Sequence, residues 1–122
     1  MAAECNVRIL AEVTGLGEDL KFAEVFNVTT TPTKAVSNRQ IQAVADIDEA
    51  LNLCGISTVE LIIIKATTND LLIDTDYVST FDADQSVAEG ESRIIKPSGV
   101  VRIKNEDAAE AVTVDYLIVG SA

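Results

Sequence analysis

The stretch Val59-Glu60-Leu61-Ile62-Ile63-Ile64-Lys65-Ala66 decides the fold class of this 122-residue chain. In an extended strand, Val59, Leu61 and Ile63 fall on one side and Ile62, Ile64 and Ala66 on the other. A strand that is apolar on both faces is covered on both. One face of each sheet in a two-layer sandwich is ordinarily wet. The second face of this strand therefore calls for a loop or another subunit. The continuous apolar run Leu61–Ile64 is far shorter than the ~20 residues a membrane-crossing helix needs.

Outward from this strand, period-2 alternation persists. Asn6 to Val13 places Val7, Ile9, Ala11 and Val13 on one face, and Gly15 and Gly17 break it. Leu20 to Thr29 follows, with Phe22, Phe26 and Val28 sharing a face that Glu24 interrupts. Pro32 marks a loop or an edge, and Arg39 to Ala45 reads as a weaker strand. Asp46 to Asn52 has the capping-box spacing Asp46…Glu49 and predicts one helical turn or an irregular loop.

Further on, Leu71 to Ile73 and Tyr77 to Phe81 flank the turn Asp74-Thr75-Asp76. Ser92 to Lys96 leads into the turn Lys96-Pro97-Ser98-Gly99. Val100 to Lys104 and Val112 to Val119 close the chain. Val112, Val114, Tyr116 and Ile118 form the core face of the last strand, which leaves Leu117 and Val119 opposite. The expected fold is all-β, an antiparallel β-sandwich of jelly-roll-like type with about eight short strands. The length predicts a single domain over residues 1–122, with residues 1–6 as an N-terminal arm that orders on contact.

Composition narrows the chemistry. Twenty acidic residues against nine basic give a net charge of −11, which repels nucleic acid and anionic membranes. A mean hydropathy of +0.24 argues against disorder. The absence of histidine removes Ser-His and Cys-His catalytic dyads, so no enzymatic activity and no cofactor are expected. Cys5 and Cys54 make no metal spacing and read as free thiols of a protein made in a reducing cytosol, with a disulfide between them left open. Met1 to Cys5 carries Glu4 in place of a basic region, unlike a signal peptide.

Three groups of residues could carry function. Asp74, Asp76, Asp82 and Asp84 offer hard oxygen ligands for calcium. An EF-hand fails, because a loop starting at Asp74 puts Ser79 at position six and Gln85 at position twelve. Asp is also a favoured turn residue. Arg93, Lys96, Arg102 and Lys104 cluster in the last hairpin and could form a docking patch for an acidic protein surface. Ile62, Ile64, Leu117 and Val119 are the candidate subunit contact, on strands with more apolar surface than one small sandwich should bury.

Several segments together resemble the small β-sandwich virion proteins of tailed bacteriophages. They are Val59 to Ala66, the turn Asn69-Asp70, Leu71-Leu72-Ile73, Ile94 to Gly99, Val100 to Asn105, and Val112 to Val119. Asn38 to Gln42 and Glu49 to Leu53 extend the resemblance over residues 38–119. In that group an "IKN"-like unit precedes a Pro-Gly turn; here Ile103-Lys104-Asn105 follows Pro97-Ser98-Gly99. The resemblance implies a non-enzymatic capsid cement or decoration protein on the outer head surface, assembled in the host cytoplasm. It would bridge subunits of the major capsid protein and self-associate, with a homotrimer favoured. A tail, baseplate or fibre-attachment component is the alternative within the virion. A calcium-assisted carbohydrate-binding module is the alternative outside it.

Overall fold

A computed structural model describes residues 3–28, 31–42, 47–107 and 109–122. The chain divides into two compact units, Met1–Pro32 and Thr33–Ala122. The sandwich is thus the work of the second unit, and the first two strands form a unit of their own.

The first unit is a hairpin of β1 (Asn6–Val13) and β2 (Leu20–Asn27), paired antiparallel from Asn6↔Asn27 to Val13↔Leu20. The turn between them uses Gly15 and Gly17, at φ of +88° and +94°. A residue with a Cβ adopts that region only with strain. Of the expected N-terminal arm, Met1 and Ala2 lie outside the described residues, and Asn6 already belongs to β1.

The second unit holds β3 (Lys34–Gln42), β4 (Glu49–Ala50), β5 (Thr58–Thr68), β6 (Leu71–Tyr77), β7 (Gln85–Val87), β8 (Ser92–Ile95), β9 (Val100–Asn105) and β10 (Val112–Ser121). They form two four-stranded sheets in the orders β3-β10-β5-β8 and β4-β9-β6-β7, and every paired neighbour runs antiparallel. Each connection crosses between the sheets except the one from β6 to β7. Eight antiparallel strands interleaved in this way make a jelly roll, so the expected fold class holds.

Two local readings change. The helical turn sought at Asp46–Asn52 is replaced: Asp46 lies outside the described residues, and Glu49–Ala50 is a short strand against Arg102 and Ile103 of β9. The turn Asp74-Thr75-Asp76 lies inside β6, where the register against β9 shifts between Asp74 and Tyr77. A bulge keeps the strand continuous where the sequence suggests a break.

The core lies between the sheets. Ile62, Ile64 and Ala66 from β5 meet Leu71, Ile73 and Ile103 of the facing sheet, and all six are fully buried. This corrects the assignment of Ile62 and Ile64 to a subunit contact. Both are 0% exposed and point into the core, because β5 is central in its sheet and its even positions face the second sheet. Val112, Val114, Tyr116 and Ile118 join them as expected. Tyr116 keeps its hydroxyl satisfied, donating to the carbonyl of Asn52 (2.7 Å) and accepting from Asn38 Nδ2 (2.9 Å).

Polar groups bridge both open sides of the sandwich. On one side Gln40 of β3 donates to Glu49 Oε1 (2.9 Å) and to the carbonyl of Ala50 (3.0 Å) in β4. The buried Gln42 there accepts from the Asn105 backbone N–H at 2.8 Å. On the other side Arg93 of β8 donates to the carbonyl of Ser86 in β7 at 3.0 Å. Near the end of β10 the sheet closes tightly: a Cβ on Gly120 would fall 2.0 Å from the Thr58 carbonyl oxygen.

Strand parity gives a direct test. Ile64→Ala should lower unfolding free energy by about 3–4 kcal/mol, as for other large-to-small core changes. Ile94→Ala, on the exposed side of β8, should cost less than about 1 kcal/mol. Urea titration of the two variants measures both, and equal losses would contradict the assigned faces.

Candidate functional site

The first predicted cluster forms at the β6 bulge. Asp74 is 1% exposed. Its Oδ1 accepts the N–H of Asp76 and its Oδ2 the N–H of Asp82, each at 3.0 Å. Asp84 Oδ2 accepts from the Thr75 N–H (3.0 Å) and the Thr75 hydroxyl (2.7 Å). Carboxylate oxygens of Asp74, Asp76 and Asp84 lie within 4.8 Å of one another. Asp82 contributes its backbone N–H to Asp74. The loop from Val78 to Asp82 lines a shallow depression beside Asp74 and Asp76.

Burial alone would raise the Asp74 pKa, but the N–H groups of Asp82 and Asp76 outweigh it and hold that carboxyl below its ordinary range. Asp76 is pushed up, first by its hydrogen bond with Asp74, then by burial and the charges of Asp74, Asp84 and Asp82. Three clustered carboxylates are the donor type for a hard cation, which takes about 6–8 oxygens. Here both oxygens of Asp74 already accept hydrogen bonds, from Asp76 in the strand and Asp82 in the loop, and one oxygen of Asp84 accepts from Thr75 of the strand. Those bonds account for the geometry: the carboxylates tie the β6–β7 connection to the bulge.

The second predicted cluster is split. Arg102 and Lys104 stand on the outward face of β9, where their neighbours Val101 and Ile103 point inward. Arg102 donates to the Asp48 carboxylate and to its carbonyl (2.9 Å), and lies 4.7 Å above the Tyr77 ring. Lys104 lies 5.8 Å from the Phe81 ring centroid. Arg93 belongs to the other sheet, opposite the inward Ile64, and seals an edge. Lys96 is exposed just past β8. The sequence places all four together because they are close along the chain, yet β8 and β9 enter different sheets.

The third group divides too. Leu117 lies half-buried on the outward face of β10, beside Ile63 of β5, and Ile63 pairs on its other side with the exposed Ile94. These form an outward apolar row. Val119 is 3% exposed yet lies outside the inter-sheet core. On the same face Arg39 grips Asp115 with two bonds, 2.6 Å and 2.9 Å, and the Thr67 hydroxyl adds a third at 2.9 Å. Arg39 first, then Thr67, draws the Asp115 pKa down from 3.8 to about 2.

The most exposed apolar surface was not singled out from the sequence. It is the β1–β2 ribbon. The register puts Val7, Ile9, Ala11 and Val13 with Leu20, Phe22, Glu24 and Phe26 on one face. Val13, Leu20, Phe22 and Phe26 are 43%, 55%, 56% and 42% exposed, whereas Val7 is 5% exposed. The other face mixes Arg8, Leu10, Glu12, Lys21, Ala23 and Val25. The Gly15 and Gly17 turn was the available signal. It marks a self-paired hairpin, whose two strands make a sheet of their own. Cys5 and Cys54 are both free thiols.

No protein family, curated protein or solved structure matches this chain.

Two outcomes follow from these contacts. Asp74→Ala should cost about 1–3 kcal/mol of stability, since it removes the buried acceptor of two part-buried N–H donors; denaturant titration reads it. The Arg39–Asp115 pair depresses a carboxyl, so its contribution is present above pH 3.8 and fades as pH falls toward about 2. Arg39→Gln should flatten that decline when urea midpoints are followed from acid to neutral pH. A slope unchanged from wild type would mean the pair contributes nothing.

Proposed function

We propose that this chain is a non-enzymatic structural protein of a virion, of the capsid cement or decoration kind, that attaches to a larger protein lattice through its first unit. The observation that carries the reading is the exposed apolar face of the β1–β2 ribbon, with Leu20, Phe22 and Phe26 open to solvent. A two-stranded ribbon is marginally stable alone, and contiguous apolar surface of this kind marks an interaction site. The jelly-roll body supplies a rigid platform, a fold also used by capsid proteins. The net charge of −11 suits a surface turned away from packaged nucleic acid.

In this reading the major capsid protein is the partner. Contact between copies, as in the trimer that the sequence resemblance implies, falls to the outward row of Ile63, Ile94 and Leu117. Many equivalent weak contacts on one particle then add up through avidity. A tail, baseplate or fibre-attachment role uses the same surfaces at lower copy number.

A second reading, a calcium-assisted carbohydrate-binding module, draws on the convergence of Asp74, Asp76 and Asp84 within 4.8 Å. Calorimetric titration of calcium decides it: heat together with a raised Tm supports it, and neither removes it.

For the first reading, purified chain mixed with empty expanded heads of the source virus should co-sediment at hundreds of copies per particle. Phe22→Ser with Phe26→Ser should abolish that binding and leave the body folded. A chain that ignores the heads at saturating concentration overturns the cement role, and a few copies per particle moves it to the tail.

A further inference from the structure

The apolar face of the ribbon carries one charge, Glu24. It pairs across the ribbon with Ile9 and is flanked along β2 by Phe22 and Phe26. The basic residues of β1 and β2 are Arg8 and Lys21. Cross-strand parity puts both on the opposite face, Lys21 directly against Glu12. Among the described residues of the ribbon, Glu24 therefore has no cation on its own face.

That placement discriminates between occupants. Suppose a second copy covered the face by two-fold stacking. Each Glu24 lies in the second of the four cross-strand pairs on that face, so both would be buried near the middle of the contact. Neither would meet a cation. An unpaired carboxylate removed from water costs several kcal/mol. Overall charge acts in the same direction: residues 1–32 hold five acidic and two basic side chains, and the whole chain stands at −11. A different protein that offers an apolar surface with a lysine or arginine opposite Glu24 converts the same carboxylate into a paired, orienting contact.

We infer that the apolar face of the β1–β2 ribbon docks on a different protein whose matching apolar surface carries a cation opposite Glu24, and that Glu24 bars this face from closing on a second copy. The inference rests on the assembly reading in one respect, that the ribbon has a protein partner. It adds the chemistry of that partner.

The Glu24→Lys chain is a ready probe, because it presents the same apolar face with a cation in the right place. Wild type, Glu24→Lys, and an equimolar mixture are compared by sedimentation velocity. Neither chain alone should gain mass through the ribbon. The mixture should form a new heavier species, at least about tenfold tighter than either homotypic contact, as one removed unpaired charge predicts. Phe22→Ser in either member should abolish it. Glu24→Leu, with the charge gone, should self-associate. A mixture that behaves as the sum of its parts, with Glu24→Leu also unchanged, overturns the inference. So does a wild-type mass that falls on Phe22→Ser alone, since that means the face already pairs with its own copy. Pairing in the mixture without binding to heads keeps the inference and removes the cement role. Head binding without pairing does the reverse.

Discussion

The structure of the second unit depends on one constraint: the inward faces of β5 and β10, central in their sheet, must stay covered by β6 and β9. Ile62, Ile64, Val114 and Ile118 come from the first pair of strands, and Leu71, Ile73, Val101 and Ile103 from the second. Once these faces meet, the parity of every residue on the four strands is set, because a slip by one position would turn the whole apolar row outward. Ile63, Leu117 and Arg102 are outward for that reason. The positions of the candidate side chains on these four strands are a consequence of the core.

A sandwich still leaves two open sides, and here hydrogen bonds to backbone carbonyls seal them. Gln40 reaches Ala50 on one side and Arg93 reaches Ser86 on the other. Gln42 and Asn105 add a buried link between the sheets. Arg93 is one of these edge groups, because β8 lies in a different sheet from β9. The acidic bulge follows the same logic. Asp74 and Asp84 hold the connection after β6 against the sheet, while Asp76 sits raised among like charges.

The ribbon obeys a different rule. Its two strands pair with each other along their full length, which satisfies the inner edge of each strand while one face of the ribbon stays apolar and open. The body has buried its apolar rows between sheets and the ribbon has not. That contrast, with a lone carboxylate on the apolar face of the ribbon, distinguishes the two units within 122 residues.

Much of this is legible in the order of residues alone. The doubly apolar run at Leu61–Ile64, the alternation on β9 and β10, and the regular turns fixed an antiparallel sandwich, since side-chain period and turn chemistry are local properties. They also placed Val7 with Val13, and Phe22 with Phe26, on common faces. The alternation could not say which face of β5 looks inward, because both are apolar, and Ile62 and Ile64 were expected outside for that reason. Nor could spacing along the chain show that β8 and β9 part into different sheets, that Asp74 to Asp76 is a bulge within a strand, or that the first two strands pair only with each other. Those outcomes depend on which strand lies beside which. Pairing partners are chosen by contacts between residues distant in the chain, and no local pattern records them.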